Sequence, residues 1–140
     1  MSKNFFIDSR EPGELTNFLS DIGEIRLLEV ADYMGITDQL SWGIERKTVG
    51  DLLSSIMTGR LYGQLRRLLQ SFDVSILLLE GIYSRTSDGG LRIPQKEFNW
   101  RYQAVENLLL DAQLRGIILA RSPNIETSAM LIRGYYEYFT

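Results

Sequence analysis

An α/β fold, with a central sheet flanked by helices in a single domain, is what this sequence predicts. Three observations carry that reading. Short apolar runs of strand length alternate with longer stretches whose apolar residues recur every three or four positions. Val74 to Leu79 is nearly all apolar, as expected of a strand buried on both faces. The chain has 140 residues, 44% hydrophobic and 24% charged, which suits one globular domain burying roughly two-thirds of its unfolded surface.

The elements follow in order. Asn4 to Ile7 is a short strand ending at Asp8. Pro12 suits a first helical turn; Leu15, Phe18, Leu19 and Ile22 then follow at helical spacing until Gly23 stops the helix. Ile25 to Val30 reads as the next strand. Leu40, Trp42 and Ile44 alternate as a third, which places Glu45 and Lys47 together on its opposite face. Thr48 opens a helix with Val49, Leu52, Leu53, Ile56 and Met57 on one stripe, and Gly59 interrupts it. A second helix, about Arg60 to Phe72, buries Leu61, Leu65, Leu68 and Leu69. Ser84 to Gln95, with Asp88-Gly89-Gly90 and Pro94, reads as a long loop. A helix from about Phe98 to Leu114, a strand from Gly116 to Ala120 and a helix opened by Ser122-Pro123 complete the chain. The last helix ends in Tyr135, Tyr136, Tyr138 and Phe139, which at helical spacing suit a core or a dimer seam more than base stacking.

Composition narrows the chemistry. With no cysteine and no histidine, the chain has no disulfide, no thiolate or imidazole zinc site and no Ser-His-Asp or Cys-His catalysis. A metal would be held by oxygen ligands, which favours magnesium or manganese. No run approaches the ~20 apolar residues that span a bilayer, and Met1 to Phe6 has no basic-then-apolar leader pattern, so a cytoplasmic protein without a membrane partner is expected. The net charge of −3 weighs against a nucleic-acid partner, but its distribution does not. Residues 44–70 carry Arg46, Lys47, Arg60, Arg66 and Arg67 against Glu45 and Asp51 alone.

Asp32 follows one apolar run, and Glu45 and Lys47 stand at the end of the next. Carboxylates at neighbouring strand ends hold a hard cation, and a nearby ammonium serves an attacking water, as phosphodiester hydrolysis requires. The bland alternative is a surface acid–base pair of little energetic worth. Thr48-x-x-Asp51 also resembles a capping box, so Asp51 is either a cap or a catalytic acid. Arg10 and Glu11 either brace the site or touch substrate. Arg60, Gln64 and Arg67 share a polar stripe that either follows a phosphate backbone or is a solvated face.

Taken together these residues resemble a known family. Asp8-Ser9-Arg10-Glu11, then Asp32-Tyr33, Glu45-Arg46-Lys47 and Asp51 are similar to its Asp-x-Arg-Glu opening and its Gly-Asp … Glu-Arg-Lys-x-x-x-Asp signature. Ser55-Ile56, Gly59-Arg60-Leu61 with Gln64, and Glu80-Gly81 match further pieces in order. The family is the XPF-type (xeroderma pigmentosum group F) structure-specific endonuclease, and the resemblance covers about Phe6 to Tyr135. It implies a restriction-endonuclease-like central mixed sheet and a metal-dependent DNA endonuclease acting on branched, flapped or junction DNA. It further implies that Asp8, Asp32 and Glu45 hold Mg2+ or Mn2+, and that Lys47 positions the water or steadies a phosphorane-like state. Arg46 would contact phosphate or orient Glu45 or Asp51, with Arg10, Arg60 and Gln64 also toward DNA and Glu11 and Asp51 in support. A homodimer, or a heterodimer partner supplying DNA affinity, is implied, and a nucleoid location if the source is prokaryotic or viral. Residues 1–140 are expected to be this nuclease domain without a helix-hairpin-helix module. Ala31 stands where the family has glycine before the metal-binding aspartate. The rival expectation is a catalytically silent scaffold that binds DNA or a partner through the same fold.

Overall fold

The computed structural model describes residues 4–140, so the first three positions of the expected 1–140 domain lie outside the described residues. β1 (Phe5–Asp8) is followed by α1 (Gly13–Leu19), β2 (Glu24–Arg26), β3 (Tyr33–Ile36) and β4 (Ser41–Thr48). Next come α2 (Val49–Met57), α3 (Leu61–Ser71), β5 (Val74–Glu80), β6 (Ser84–Arg85), β7 (Gly90–Ile93) and β8 (Lys96–Arg101). α4 (Tyr102–Leu114), β9 (Ile117–Ser122) and α5 (Ile125–Phe139) close the chain. Six strands form one mixed sheet in the order β2-β1-β3-β4-β5-β9, antiparallel at β1–β3 and β3–β4 and parallel elsewhere. Strands β6, β7 and β8 make a second, antiparallel sheet.

Helices cover both faces of the large sheet. On the front face Leu52, Leu53, Leu65, Leu68, Val105 and Leu109 of α2, α3 and α4 pack on Leu77, Leu79 and Ile117. On the back face Leu15, Leu19, Ala129 and Ile132 of α1 and α5 pack on Phe5, Ile7, Trp42, Ile44, Ile76 and Leu78. Val74–Glu80 thus feeds both cores, which is why its run is continuously apolar. Each fully buried leucine contributes about 2 kcal/mol of hydrophobic stabilisation. Trp42 stacks between Phe5 (5.4 Å) and Phe139 (4.9 Å), and Tyr136 meets Phe5 at 5.4 Å, so the C-terminal aromatics are partly core. Tyr138 is 82% exposed.

Local signals set the helix ends. The Thr48 hydroxyl accepts the Asp51 N–H at 3.1 Å to cap α2, and Asn124 Oδ1 accepts from the Thr127 N–H at 2.8 Å to cap α5. Gly59, at φ +74, separates α2 from α3.

Three expectations about elements are corrected. The run Ile25 to Val30 is a strand only over Glu24–Arg26. Its backbone is diverted at Leu28, whose N–H donates to Asp8 Oδ1 (2.9 Å) and whose carbonyl accepts from Arg10 Nη2 (2.7 Å), so side chains replace ladder partners. β3 had no counterpart in the periodicity, because Gly35 breaks its alternation. The Trp42 indole lies across that glycine, and a Cβ there would come within 2.3 Å of it. Finally, Ser84 to Gln95 is not a loop, and the helix expected from Phe98 starts only at Tyr102. Leu91, Ile93, Phe98 and Trp100 pack onto the front core, and that non-local burial turns a turn-rich stretch into strands.

Ala31 has φ 72, the left-handed region, alone in this among the non-glycine residues described. The substitution Ala31→Gly should therefore raise the free energy of unfolding by about 0.5–1 kcal/mol, net of the added entropy of the unfolded chain. Urea denaturation checks this; a less stable variant would mean that packing of the alanine methyl outweighs its backbone strain.

Candidate active site

The site follows from strand alternation and register. Phe5 and Ile7 of β1, Tyr33 of β3 and Ile44 of β4 face the back core. Period-two alternation therefore turns Asp8, Asp32 and Glu45 to the front. The Asp8 N–H donates to the Asp32 carbonyl and the Asp32 N–H to the Ile44 carbonyl, each at 2.8 Å, so the three acids stand at the ends of adjacent strands. Lys47, two positions beyond Glu45, shares that face and is 6% exposed. Its Nζ donates to Ser55 Oγ of α2 at 3.0 Å.

The acids are not equivalent. Asp8 accepts from Arg10 Nε (2.9 Å) and, through Oδ1, from the Leu28 N–H, so its carboxylate is engaged in holding the 27–30 segment. Asp32 Oδ2 accepts the Arg46 backbone N–H at 2.8 Å. Burial is the main force raising the Asp32 carboxyl above its ordinary range. The Arg46 N–H holds it down, Asp8 pushes it up, and the Lys47 and Arg46 charges oppose. Glu45 is pushed up to about 7, first by burial and next by the Asp32 charge, with Lys47 resisting. Arg10 is exposed and its guanidinium is held protonated chiefly by Asp8, with Asp32 and Glu45 adding, so it stands at the rim of the row.

Arg46 lies on the other side of the sheet. Its Nε and Nη2 donate to Glu80 Oε1 (3.0 Å) and Oε2 (2.7 Å), a bidentate pair, and Nη1 stands 3.6 Å from Glu11 Oε1. Burial works against the Arg46 charge, and Glu80 and Glu11 more than offset it. Glu80 Oε1 also accepts from the Ser128 hydroxyl at 2.6 Å, and Ser122 Oγ lies 2.9 Å from Ser128 Oγ. Glu11 is raised to about 7, mainly by burial and then by Asp32, while the Tyr33 hydroxyl and Arg46 oppose. The expected phosphate contact of Arg46 is thus replaced by an internal clamp, because the central residue of Glu-Arg-Lys alternates to the back face.

The remaining expected site residues stand apart from the acid row. Asp51 is exposed in the first turn of α2, where its N–H completes the Thr48 cap. Arg60 is exposed and donates to Thr58 Oγ1 at 2.8 Å. Gln64 is half-buried, with Oε1 enclosed and unpartnered among the described groups. Arg67 reaches the Glu29 carbonyl at 3.4 Å, so the α3 stripe faces the diverted 27–31 segment. Sequence reasoning gave no role to Ser128 or the Leu28 backbone, and no local signal marks them, while Tyr33 appeared only as a motif piece beside Asp32. Ser55 and Glu80 were visible as motif pieces, without their partners.

The donor set fits a divalent cation. Asp32 and Glu45 offer carboxylate oxygens whose raised proton affinities reflect burial and mutual repulsion, a penalty that added positive charge relieves. Among the described residues no three acidic side chains close into a ready-made cage, consistent with the engagement of Asp8 by Arg10 and Leu28.

Because the folded-state affinities of Glu45 and Glu11 lie near 7, above the ordinary 4.5, protonation favours the fold. Metal-free protein should be most stable below pH 4.5 as far as these groups decide, and should lose that contribution as pH rises through about 7. In EDTA at pH 8, Glu45→Gln should stabilise the fold by about 1–3 kcal/mol. Thermal melts of both proteins at pH 6 and 8 check the sign; a wild type whose melting temperature rises across that interval refutes it.

The geometry agrees with comparisons to known proteins. The ERCC4 domain matches residues 7–135. A Dictyostelium discoideum protein named probable crossover junction endonuclease mus81 is 31% identical over an alignment of 156 positions, covering 95% of this chain and 17% of that protein. The 3'-flap repair endonuclease Xpf of Saccharolobus solfataricus is 33% identical over 113 residues, covering 78% of this chain and 43% of that one. The chain therefore spans less than half the length of either relative. In structure, XPF from Aeropyrum pernix superimposes with a TM-score of 0.79 at 23% identity, over 97% of this chain and 61% of its own. The same protein in complex with DNA gives 0.73 at 21%, over 95% and 62%. Together with the match over nearly the whole chain, the acid row on β1, β3 and β4 leads to one conclusion: the chain belongs to the ERCC4 domain family.

Proposed function

We propose that this domain is a divalent-metal-dependent endodeoxyribonuclease that cuts branched or flapped DNA. The observation that carries the reading is the front-face row of Asp32, Glu45 and Lys47, with Asp8 and Arg10 at its edge. The substrate class is supported by two relatives, one named a crossover junction endonuclease and the other a 3'-flap repair endonuclease. Asp32 and Glu45 would hold Mg2+ or Mn2+. Such an ion supplies Lewis-acid stabilisation of phosphate charge and an acidified water.

The chain's own groups do the rest. Asp32 is aimed by the Arg46 N–H, and Glu45 is presented by the strand end. Lys47 is held by Ser55 as a buried cation two residues from Glu45, placed to steady charge on the scissile phosphate or to orient the attacking water. Asp8 adds negative charge and secures the segment that leads into Asp32. Arg10 is exposed at the rim, where it suits a phosphate contact. Residues 1–140 act as this nuclease unit.

Labelled fork or 3'-flap duplex and closed circular plasmid, incubated with magnesium, manganese or EDTA, test the reading. Metal-dependent cutting should fall by at least about 100-fold in Glu45→Ala and Lys47→Ala, and more mildly in Ser55→Ala. A wild type that binds these substrates and never cuts them would support the silent scaffold.

The assembly we propose is a homodimer through α5 and the edge strand β9. Ile118, Met130 and Tyr138 are 52%, 62% and 82% exposed around an apolar groove floored by Ile76 and Leu131. Met130→Asp with Tyr138→Asp should convert a dimer to a monomer in sedimentation velocity, and a wild type monomeric at high micromolar concentration defeats the proposal.

A further inference from the structure

A second pocket opens at the C-terminal ends of β5 and β9. It encloses about 460 Å3 between Leu79, Ile82, Tyr83, Tyr102, Arg121 and Pro123. The Tyr83 and Tyr102 rings stand 5.8 Å apart, inclined at 42°, and the Arg121 guanidinium lies 5.6 Å over Tyr83. Ile82 projects at the mouth, 61% exposed, with both tyrosines half-buried beside it.

Its polar edge is satisfied internally. The Tyr83 hydroxyl donates to Glu106 Oε2 at 2.5 Å, Arg121 Nη2 to Glu106 Oε1 at 3.2 Å, and Arg121 Nη1 to the Tyr83 hydroxyl. Glu106 and Arg121 cancel in charge. A pocket of aromatic faces with no net charge suits an uncharged planar ring and not a phosphate.

Register fixes its distance from the acids. Lys47 pairs with Leu79 and Leu79 with Arg121, in parallel strands whose paired side chains share a face. Two strand spacings put the backbone of Arg121 about 10 Å from that of Lys47, a nucleotide or two along an unstacked strand.

We infer that the Tyr83–Tyr102–Arg121 pocket binds one unpaired nucleobase of the DNA strand beside the scissile phosphate. This rests on the nuclease reading above and deepens it. A base still paired and stacked in duplex cannot offer its faces, so the pocket favours substrates with an unpaired nucleotide next to the cut.

The test uses a single-stranded oligonucleotide carrying 2-aminopurine, titrated with protein in calcium, and a matching probe that is abasic at the same position. Wild type and Tyr102→Phe should quench the 2-aminopurine emission. Tyr102→Ala and the exposed-site variant Ile82→Glu should lose the quench and bind roughly tenfold more weakly. The abasic probe should bind wild type as weakly as the intact probe binds Tyr102→Ala, with no further loss when both changes are combined. Circular dichroism and melting temperatures confirm that the variants are folded. Equal binding and quenching by wild type, Tyr102→Ala and Ile82→Glu would overturn the pocket, as would an abasic probe bound as tightly as the intact one. Magnesium-dependent fork cutting, run alongside, separates the two readings. Cutting indifferent to Tyr102 removes the pocket alone. Tyr102-dependent quenching without any cutting removes the nuclease reading and leaves the pocket.

Discussion

Strand β4 carries three consecutive charges, Glu45-Arg46-Lys47, through a sheet covered by helices on both sides, and the rest of the molecule is arranged to compensate them. Alternation sends Glu45 and Lys47 to the front and Arg46 to the back. Each then needs partners where there is little water. Lys47 finds Ser55 on α2, and Arg46 finds Glu80 on β5, itself tied to Ser128 on α5. Strand β4 is thereby fastened to elements on both faces. A buried ion pair of this kind adds little net stability over apolar packing, whereas deleting one partner leaves an unpaired charge at several kcal/mol. The clamp ties β4 to β5 and α5, and the N–H of the same Arg46 donates to Asp32 at 2.8 Å.

The front-face acids are held in the opposite condition. Burial and mutual repulsion raise the proton affinities of Asp32 and Glu45, and Lys47 only partly offsets this. The site is therefore short of positive charge, whereas the back-face clamp is satisfied. That asymmetry separates a front face whose buried acids are only partly compensated from a back face whose charges are paired. It also explains the strained Ala31: the chain must turn sharply between the segment pinned by Asp8 and Arg10 and the start of β3, so that Asp32 arrives beside Glu45.

The small sheet β6–β8 and the Tyr83–Tyr102 pocket lie beyond the front-face row. They grow from the C-terminal end of β5, beyond the strand row that carries Lys47. Parallel strands with their polar ends together concentrate function at one rim, where backbone turns leave the sheet and side chains are free to meet a ligand.

The sequence by itself determined the α/β class, most helix and strand centres, and that Glu45 and Lys47 share one face of their strand. These are properties of local period and composition: a helical stripe from Val49 to Met57, a doubly buried run from Val74 to Leu79, and charges two apart on one strand face. Only the tertiary structure decided which face Arg46 serves, since the same alternation that pairs Glu45 with Lys47 assigns Arg46 a partner 34 residues away. It also decided that Asp8 is engaged by the Leu28 backbone, that Ile25 to Val30 leaves the sheet early, and that Ser84 to Arg101 folds as three strands. Each of those outcomes depends on hydrogen bonds or burial between residues distant in the chain, and local periodicity carries no information about such partners.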